Sequence, residues 1–183
     1  GARIDVASIE VLPISNESLD AYLAIGSWEY PRAGPDRAAK EAARVLKPGG
    51  LAFIEVPHAN LLRRLTYLPF KRLEFIARRA LGSPPQFSHS LFARTEMRSL
   101  LTASGFTILE EHPHDLPEET RHYGLWVDWP FLRARPAEPA TGGGSGGGPH
   151  YELNAVGRFV KRLGNAISPW TIATGMFIVA QKR

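Results

Sequence analysis

The chain has 183 residues, 44% hydrophobic and 22% charged, with a formal net charge of +4, proportions that suit one globular domain. It contains no cysteine, which excludes a disulfide framework and a thiolate metal site and fits a reducing, cytoplasmic setting. No apolar run approaches the roughly 18 residues of a membrane-spanning helix, Gly1-Ala2-Arg3-Ile4-Asp5 lacks the basic start and apolar core of a signal peptide, and the small basic excess permits acidic partners or an anionic membrane without demanding either.

The chain opens without Met, directly in an alternating stretch over residues 3–7 that predicts a short strand; it reads as cut from something longer. Pro13, Ser15, Asn16 and Ser18 mark a turn. Asp20 to Ile25 is a second apolar strand, ended by Gly26. Asp36 is the expected N-cap of a helix running to Leu46, with Ala38, Ala42, Val45 and Leu46 at helical spacing. Pro48-Gly49-Gly50 stops that helix, and Leu51 to Val56 is a nearly unbroken apolar strand of the kind buried in parallel sheets. A strand, helix, strand unit of this type is right-handed by default and points to an open α/β sheet.

Residues 60–81 predict a helix interrupted near Pro69, rich in Arg and Lys against the single acid Glu74. Thr95 is the expected cap of a helix stopped by Gly105, and Phe106 to Glu110 is a strand. Residues 112–149 are irregular and include the Gly-rich run 142–148, a flexible coil with a reach of about 15 Å. Residues 151–167 form an amphipathic basic helix, and Met176 to Ala180 a closing strand.

Several of these segments together resemble the class I S-adenosylmethionine-dependent methyltransferase family. Glu10-Val11-Leu12-Pro13-Ile14 followed by Asn16-Glu17-Ser18-Leu19-Asp20 is similar to the family's turn and entry into its fourth strand. Ser27-Trp28-Glu29-Tyr30 stands where the family often has Val-Leu-Glu-His. Ala43-Arg44-Val45-Leu46-Lys47-Pro48-Gly49-Gly50 matches the turn before the fifth strand almost residue for residue. Residues 92–106 resemble the helix and Ala-Gly-Phe that lead into the sixth strand, and the stretch from Met176 to Lys182 the seventh.

The resemblance implies a partial Rossmann-like methyltransferase sheet, mostly parallel with an antiparallel last strand, with helices on both faces. It implies one incomplete domain over residues 1–183, lacking the first two strands and their Gly-rich turn. A helical insertion or cover spans 61–91, and an irregular insertion spans 112–170. The implied cofactor is S-adenosyl-L-methionine, and this chain would supply the acceptor-side half; alone it is expected to bind cofactor poorly.

Ligands of open α/β sheets sit outside the carboxyl ends of the strands, here residues 8–10, 25–30 and 57–60. By resemblance, Ser8 and Ile9 would meet the adenine, although Ser8 replaces the family's usual acid. Ile25, Gly26 and Ser27 would face the methionine part of the cofactor, and Gly26 also reads simply as a strand terminator. Glu29 and Tyr30 would face the methyl acceptor, with Tyr30 in place of the commoner His. His58 and His89 are further candidate bases, each weighed against a structural role. No metal is expected: His112, His114, Asp115 and His122 match no standard ligand spacing. The basic stretches favour a solvated face first, then an anionic membrane or an anionic acceptor; no stacking motif accompanies the charge, which disfavours nucleic acid.

The implied activity is methyl transfer to a small-molecule or lipid acceptor. A methyltransferase-like domain serving only for binding or scaffolding is the alternative. A nicotinamide-dependent enzyme on a similar sheet is disfavoured by the antiparallel last strand and the Lys-Pro-Gly-Gly turn.

Overall fold

The computed structural model of the chain describes residues 4–83, 87–114, 116, 130–132, 134 and 152–183. The strands are β1 (Leu19–Ile25), β2 (Leu46–Pro57), β3 (Phe106–His114) and β4 (Gly175–Lys182), and they form one sheet in the order β1-β2-β4-β3. The α-helices are α1 (Asp36–Val45), α2 (Leu68–Ala80), α3 (Arg94–Ala103) and α4 (Ala155–Ile167). This is the mixed α/β open sheet expected from the sequence.

β1 and β2 pair in parallel, with Ala21 opposite Leu51 and Ile25 opposite Glu55. The last strand runs the other way. The Lys182 ammonium donates to the Leu46 carbonyl at 2.7 Å, and Arg183 N–H donates to the Gly105 carbonyl at 2.9 Å. The end of β4 therefore lies beside the starts of β2 and β3.

The Lys47–Gly50 turn is built into β2 rather than preceding it. The ladder joins Leu19 to Leu46 and then skips to Ala21 and Leu51, so Lys47–Gly50 bulges out of register. A Cβ on Gly50 would lie 2.9 Å from the Lys47 carbonyl and 3.2 Å from that of Asp20. Both neighbours are backbone, so no side chain fits there.

The chain divides into two compact units. The first comprises residues 1–58, 86–112 and 176–183. Its core gathers Ala38, Ala42 and Val45 of α1, Ala52, Ile54 and Val56 of β2, Met97 and Leu101 of α3, and Ile178 and Ala180 of β4. One charged pair ties its edge together. Glu41 accepts the Leu12 N–H at 2.6 Å and the Arg44 guanidinium at 2.6 and 2.9 Å. Arg44 in turn donates to the Leu12 and Ile14 carbonyls and to the Asn16 side chain. The irregular run into β1 is thus fastened to α1. These bonds, first of all those from Arg44, hold the Glu41 carboxyl down at about 2. A second pair joins α3 to β3, where Glu111 accepts from Arg94 at 2.9 Å and from Arg98 at 2.8 Å.

The second unit comprises residues 59–85 and 113–175. Leu132 and Leu153 are its buried pair, with Leu62 and Val160 packed against them. Asn60 donates to the Ala173 carbonyl at 2.8 Å and accepts the Arg63 N–H, and the Arg63 guanidinium donates to the Thr174 carbonyl. α4 is seated through Gly157 and Gly164, whose missing Cβ atoms would collide with the Leu132 carbonyl and the Ile172 side chain.

Several expected boundaries move. Residues 4–7 form no strand; no strand ladder or bridge among the described residues includes them, and a strand exists only through its ladder. α1 begins at Asp36, with Pro35 as the cap, so the Asp36 carboxylate complements the positive helix start instead of capping it. α3 begins one residue before Thr95, and Glu96 reaches back to the Ala93 N–H at 2.7 Å. The expected interruption near Pro69 takes the form of a π-helical stretch over Arg63–Tyr67, which leaves Pro69 in the first turn of α2, where its missing N–H costs little. The last helix starts at Ala155, capped by the Asn154 side chain, which accepts the Gly157 N–H at 2.9 Å. The Gly-rich run 142–148 lies outside the described residues.

Replacing Glu41 by Gln is expected to lower stability at neutral pH by about 1.5–3 kcal/mol, the range for hydrogen bonds to a charged group. The folded-state value lies below the ordinary 4.5, so this stabilisation is complete above 4.5 and disappears as pH falls towards 2. Urea unfolding of the two proteins across that window should show their curves converge.

Candidate functional site

At the end of β1 the Gly26 N–H still donates to the Glu55 carbonyl of β2, at 3.4 Å. There the chain leaves the sheet through Gly26 at φ +57°, in the left-handed region that glycine adopts readily. Trp28 is completely buried and anchors the turn that follows. Its indole N–H donates to the Tyr22 hydroxyl at 3.1 Å. Burying an aromatic ring of this size contributes roughly 4–6 kcal/mol, against about 1 kcal/mol for a neutral hydrogen bond. Packing therefore fixes the turn, and the hydrogen bond sets the ring's direction.

The turn points Glu29 inward. Glu29 is only 5% exposed, and its Oε1 lies 3.6 Å from where a Gly26 Cβ would stand. The other oxygen, Oε2, is buried with no hydrogen-bond partner among the described residues. Burial pushes the Glu29 carboxyl up from its ordinary value of 4.5, opposed by a backbone hydrogen bond and by His89, and reinforced by Glu55. A buried carboxylate oxygen lacking a donor is costly, so Oε2 suits a ligand that brings one.

Residues 88–92 cross the ends of both strands. Ser90 N–H donates to the Glu29 carbonyl at 2.8 Å, and Phe92 N–H donates to the Pro57 carbonyl at 3.0 Å. His58, buried just past β2, faces the Phe92 carbonyl with Nδ1 at 3.1 Å. A ring nitrogen facing a carbonyl must carry the proton, so His58 holds this strap in place. His89 stands on the strap, exposed, with Nδ1 3.2 Å from the Ser88 hydroxyl.

The structure thus brings Glu29, His58 and His89 to one end of the β1–β2 pair, beside Ile25, Gly26 and Ser27. Tyr30 lies next to Glu29 but turns to solvent. Ser8 and Ile9 sit in a tight turn closed by the Ser8–Val11 bridge rather than at a strand end, and the Ser8 hydroxyl accepts the Glu10 N–H at 3.2 Å. Of the acid and histidine cluster, His112 pairs with Glu110 at 2.8 Å, and Asp115 and His122 lie outside the described residues. No group of three or more His, Asp or Glu side chains could hold a metal ion among the described residues.

Two features escaped the sequence reading. Glu55 shapes the charge around Glu29, and its signal was a lone acid within an apolar strand. The strap had no signal, because its bonds to the turn after β1 and to the end of β2 are made by backbone.

Glu29→Gln is expected to raise stability at neutral pH. The folded-state value lies above 4.5, so the penalty of ionising Glu29 is absent below 4.5 and grows as pH rises through the folded value. Unfolding titrations from about pH 4.5 upward should show the gap between variant and parent widening; parallel curves would contradict it.

A family model for a methyltransferase domain matches residues 2–54. No curated protein matches the chain. Among solved structures, one of a protein provisionally described as a methyltransferase, complexed with the Haloferax volcanii Trm112 methyltransferase activator, is similar at 13% identity and TM-score 0.52, over 97% of this chain and 60% of that one. A Methanosarcina mazei protein described as a SAM-dependent methyltransferase is similar at 17% identity and TM-score 0.51, over 97% and 66%. A Bacillus halodurans protein provisionally described as a methyltransferase is similar at 14% identity and TM-score 0.52, over 96% and 69%. This chain spans about three fifths of the length of the Haloferax protein. Residues 2–54 carry the methyltransferase-domain pattern, and the chain has the fold of the class I S-adenosylmethionine-dependent methyltransferases.

Proposed function

We propose that the protein transfers a methyl group from S-adenosyl-L-methionine to a small-molecule or lipid acceptor, and that this chain supplies the acceptor side of the site. The observation that carries this reading is the buried, unpartnered oxygen of Glu29 at the carboxyl end of β1, the edge of an α/β sheet where ligands bind. The backbone of Ile25, Gly26 and Ser27 leaves the sheet at the same edge and would hold the cofactor's methionine part; Ser8 and Ile9 would lie towards the adenine. The residues suit such a ligand, since a carboxylate awaiting a donor complements a cationic one. When bound, the cofactor supplies an activated methyl group on a sulfonium.

What remains for the protein is largely positioning, because the transfer requires the acceptor, the methyl and the sulfur in line. Glu29 accepts a hydrogen bond from the acceptor's N–H or O–H. With its carboxyl held above the ordinary value it can also take that proton if the acceptor must lose one. His58 keeps the strap closed over the strand ends, and His89 faces Glu29 from it. Tyr30 lies on the solvent side.

One observation favours a second reading, a binding or scaffold domain without turnover: the Ser8 hydroxyl is committed to its own turn and leaves no acid there for an adenine.

Isothermal titration of the full-length protein with S-adenosylmethionine should show saturable binding; none at millimolar ligand would overturn both the cofactor and the activity. Glu29→Gln should leave that affinity within a few-fold and lower methyl-transfer turnover by roughly 100-fold, the low end for a lost general base. Binding without turnover by the parent protein, tested over amine, hydroxyl and lipid acceptors, would favour the scaffold.

A further inference from the structure

α2 is a helix that buries nothing. None of its residues is buried, and Phe70, Leu73 and Ile76 are each more than half exposed. Helices of this length draw their stability from packing an apolar face against something. The other side of α2 is cationic. Lys71 and Arg78 recur seven residues apart, as do Arg72 and Arg79, and Arg64 precedes them on the π-helical turn. The only acid in the stretch is Glu74, which is spent on Lys71 at 2.9 Å and Arg78 at 2.8 Å. Arg64, Arg72 and Arg79 remain exposed and carry no ion pair among the described residues.

The same unit carries a second helix of this kind. In α4, Val156, Phe159, Leu163 and Ile167 follow helical spacing, and all four are more than half exposed. Gly157 and Gly164 seat the helix on Leu132 and Ile172, which leaves the Val156–Ile167 stripe uncovered. Arg158, Lys161 and Arg162 accompany it.

We propose that α2 and α4 form a docking surface for an anionic lipid bilayer, each helix lying in the interface with its apolar side chains among the acyl chains and its cations on the headgroups. Charge selects this occupant. A second copy seated on α2 would set cations against cations, with Glu74 already paired on each side. A nucleic acid would meet the cations and could stack on Phe70 and Phe159, but it would gain little from Leu73, Ile76, Val156, Leu163 and Ile167, the larger part of the apolar surface. A bilayer uses both halves of the pattern. No described helix is long and apolar enough to cross the membrane, so the contact is peripheral.

The inference stands apart from the methyl-transfer reading, because vesicle binding is measured without cofactor and either can fail alone. The full-length protein should float with vesicles of phosphatidylcholine containing phosphatidylserine, not with phosphatidylcholine alone, and added salt should weaken binding. R64Q/R72Q/R79Q should lower affinity for the anionic vesicles roughly a hundredfold, at about fivefold per cation. F159S/L163S should also reduce it, with the far-ultraviolet spectrum unchanged in both variants. Absence of binding, equal binding to both vesicle types, or unaltered affinity of the triple variant would overturn the proposal. So would a dimer that forms without lipid and dissociates on the same substitutions.

Discussion

The parallel pairing of β1 with β2 sets where the candidate site of this chain lies. One face of this pair packs on the core, while Leu23 and Ile25 of β1 are exposed on the other. Tyr22 and Ala24 in β1, and Ala52, Ile54 and Val56 in β2, face the core. Where the ladder ends, at Ile25 opposite Glu55, the chain leaves the sheet and its backbone becomes available to a ligand. Glu29 is buried because Trp28 next to it draws the turn inward, not because its own side chain gains from being there. The raised Glu29 carboxyl follows from that packing.

The start of β1 is held by a different kind of force. Residues 4–18 have almost no regular structure, so their polar backbone groups must find partners elsewhere. Glu41 and Arg44 provide them, one accepting an N–H and the other donating to two carbonyls. A single turn of α1 does for this segment what a neighbouring strand would do in a sheet. Glu41 sits low on the pH scale and Glu29 sits high, and the difference traces first to the Arg44 guanidinium bonded to one and the burial of the other.

Much of this was legible in the sequence. The spacing of Ala38, Ala42 and Val45, the run from Leu51 to Val56, and the Lys-Pro-Gly-Gly turn gave the central strand, helix, strand unit, because each depends on local periodicity and turn chemistry. The Leu46 pairing ahead of the bulge was not visible, since it requires Leu19 as partner. The strand expected over residues 3–7 failed for the same reason: alternation makes a strand possible, but a neighbour makes it real. At the site, Glu29, Gly26, His58 and His89 could be picked out in the sequence, whereas the contacts that hold them there could not. The roles of Glu41 and of residues 88–92 rest on contacts between positions far apart in the chain, on which composition and periodicity are silent.

The strap has a consequence for how such a protein can change. It is held to the turn after β1 and to the end of β2 through the backbone N–H groups of Ser90 and Phe92, and those bonds do not depend on side-chain identity. His58 reads the strap through a carbonyl, again indifferent to sequence. Ser88, His89 and Leu91 are therefore free to vary while the segment keeps its place over the strand ends. A scaffold of this design separates the task of staying folded from the task of choosing a ligand, and randomising those three positions is a short route to new selectivities.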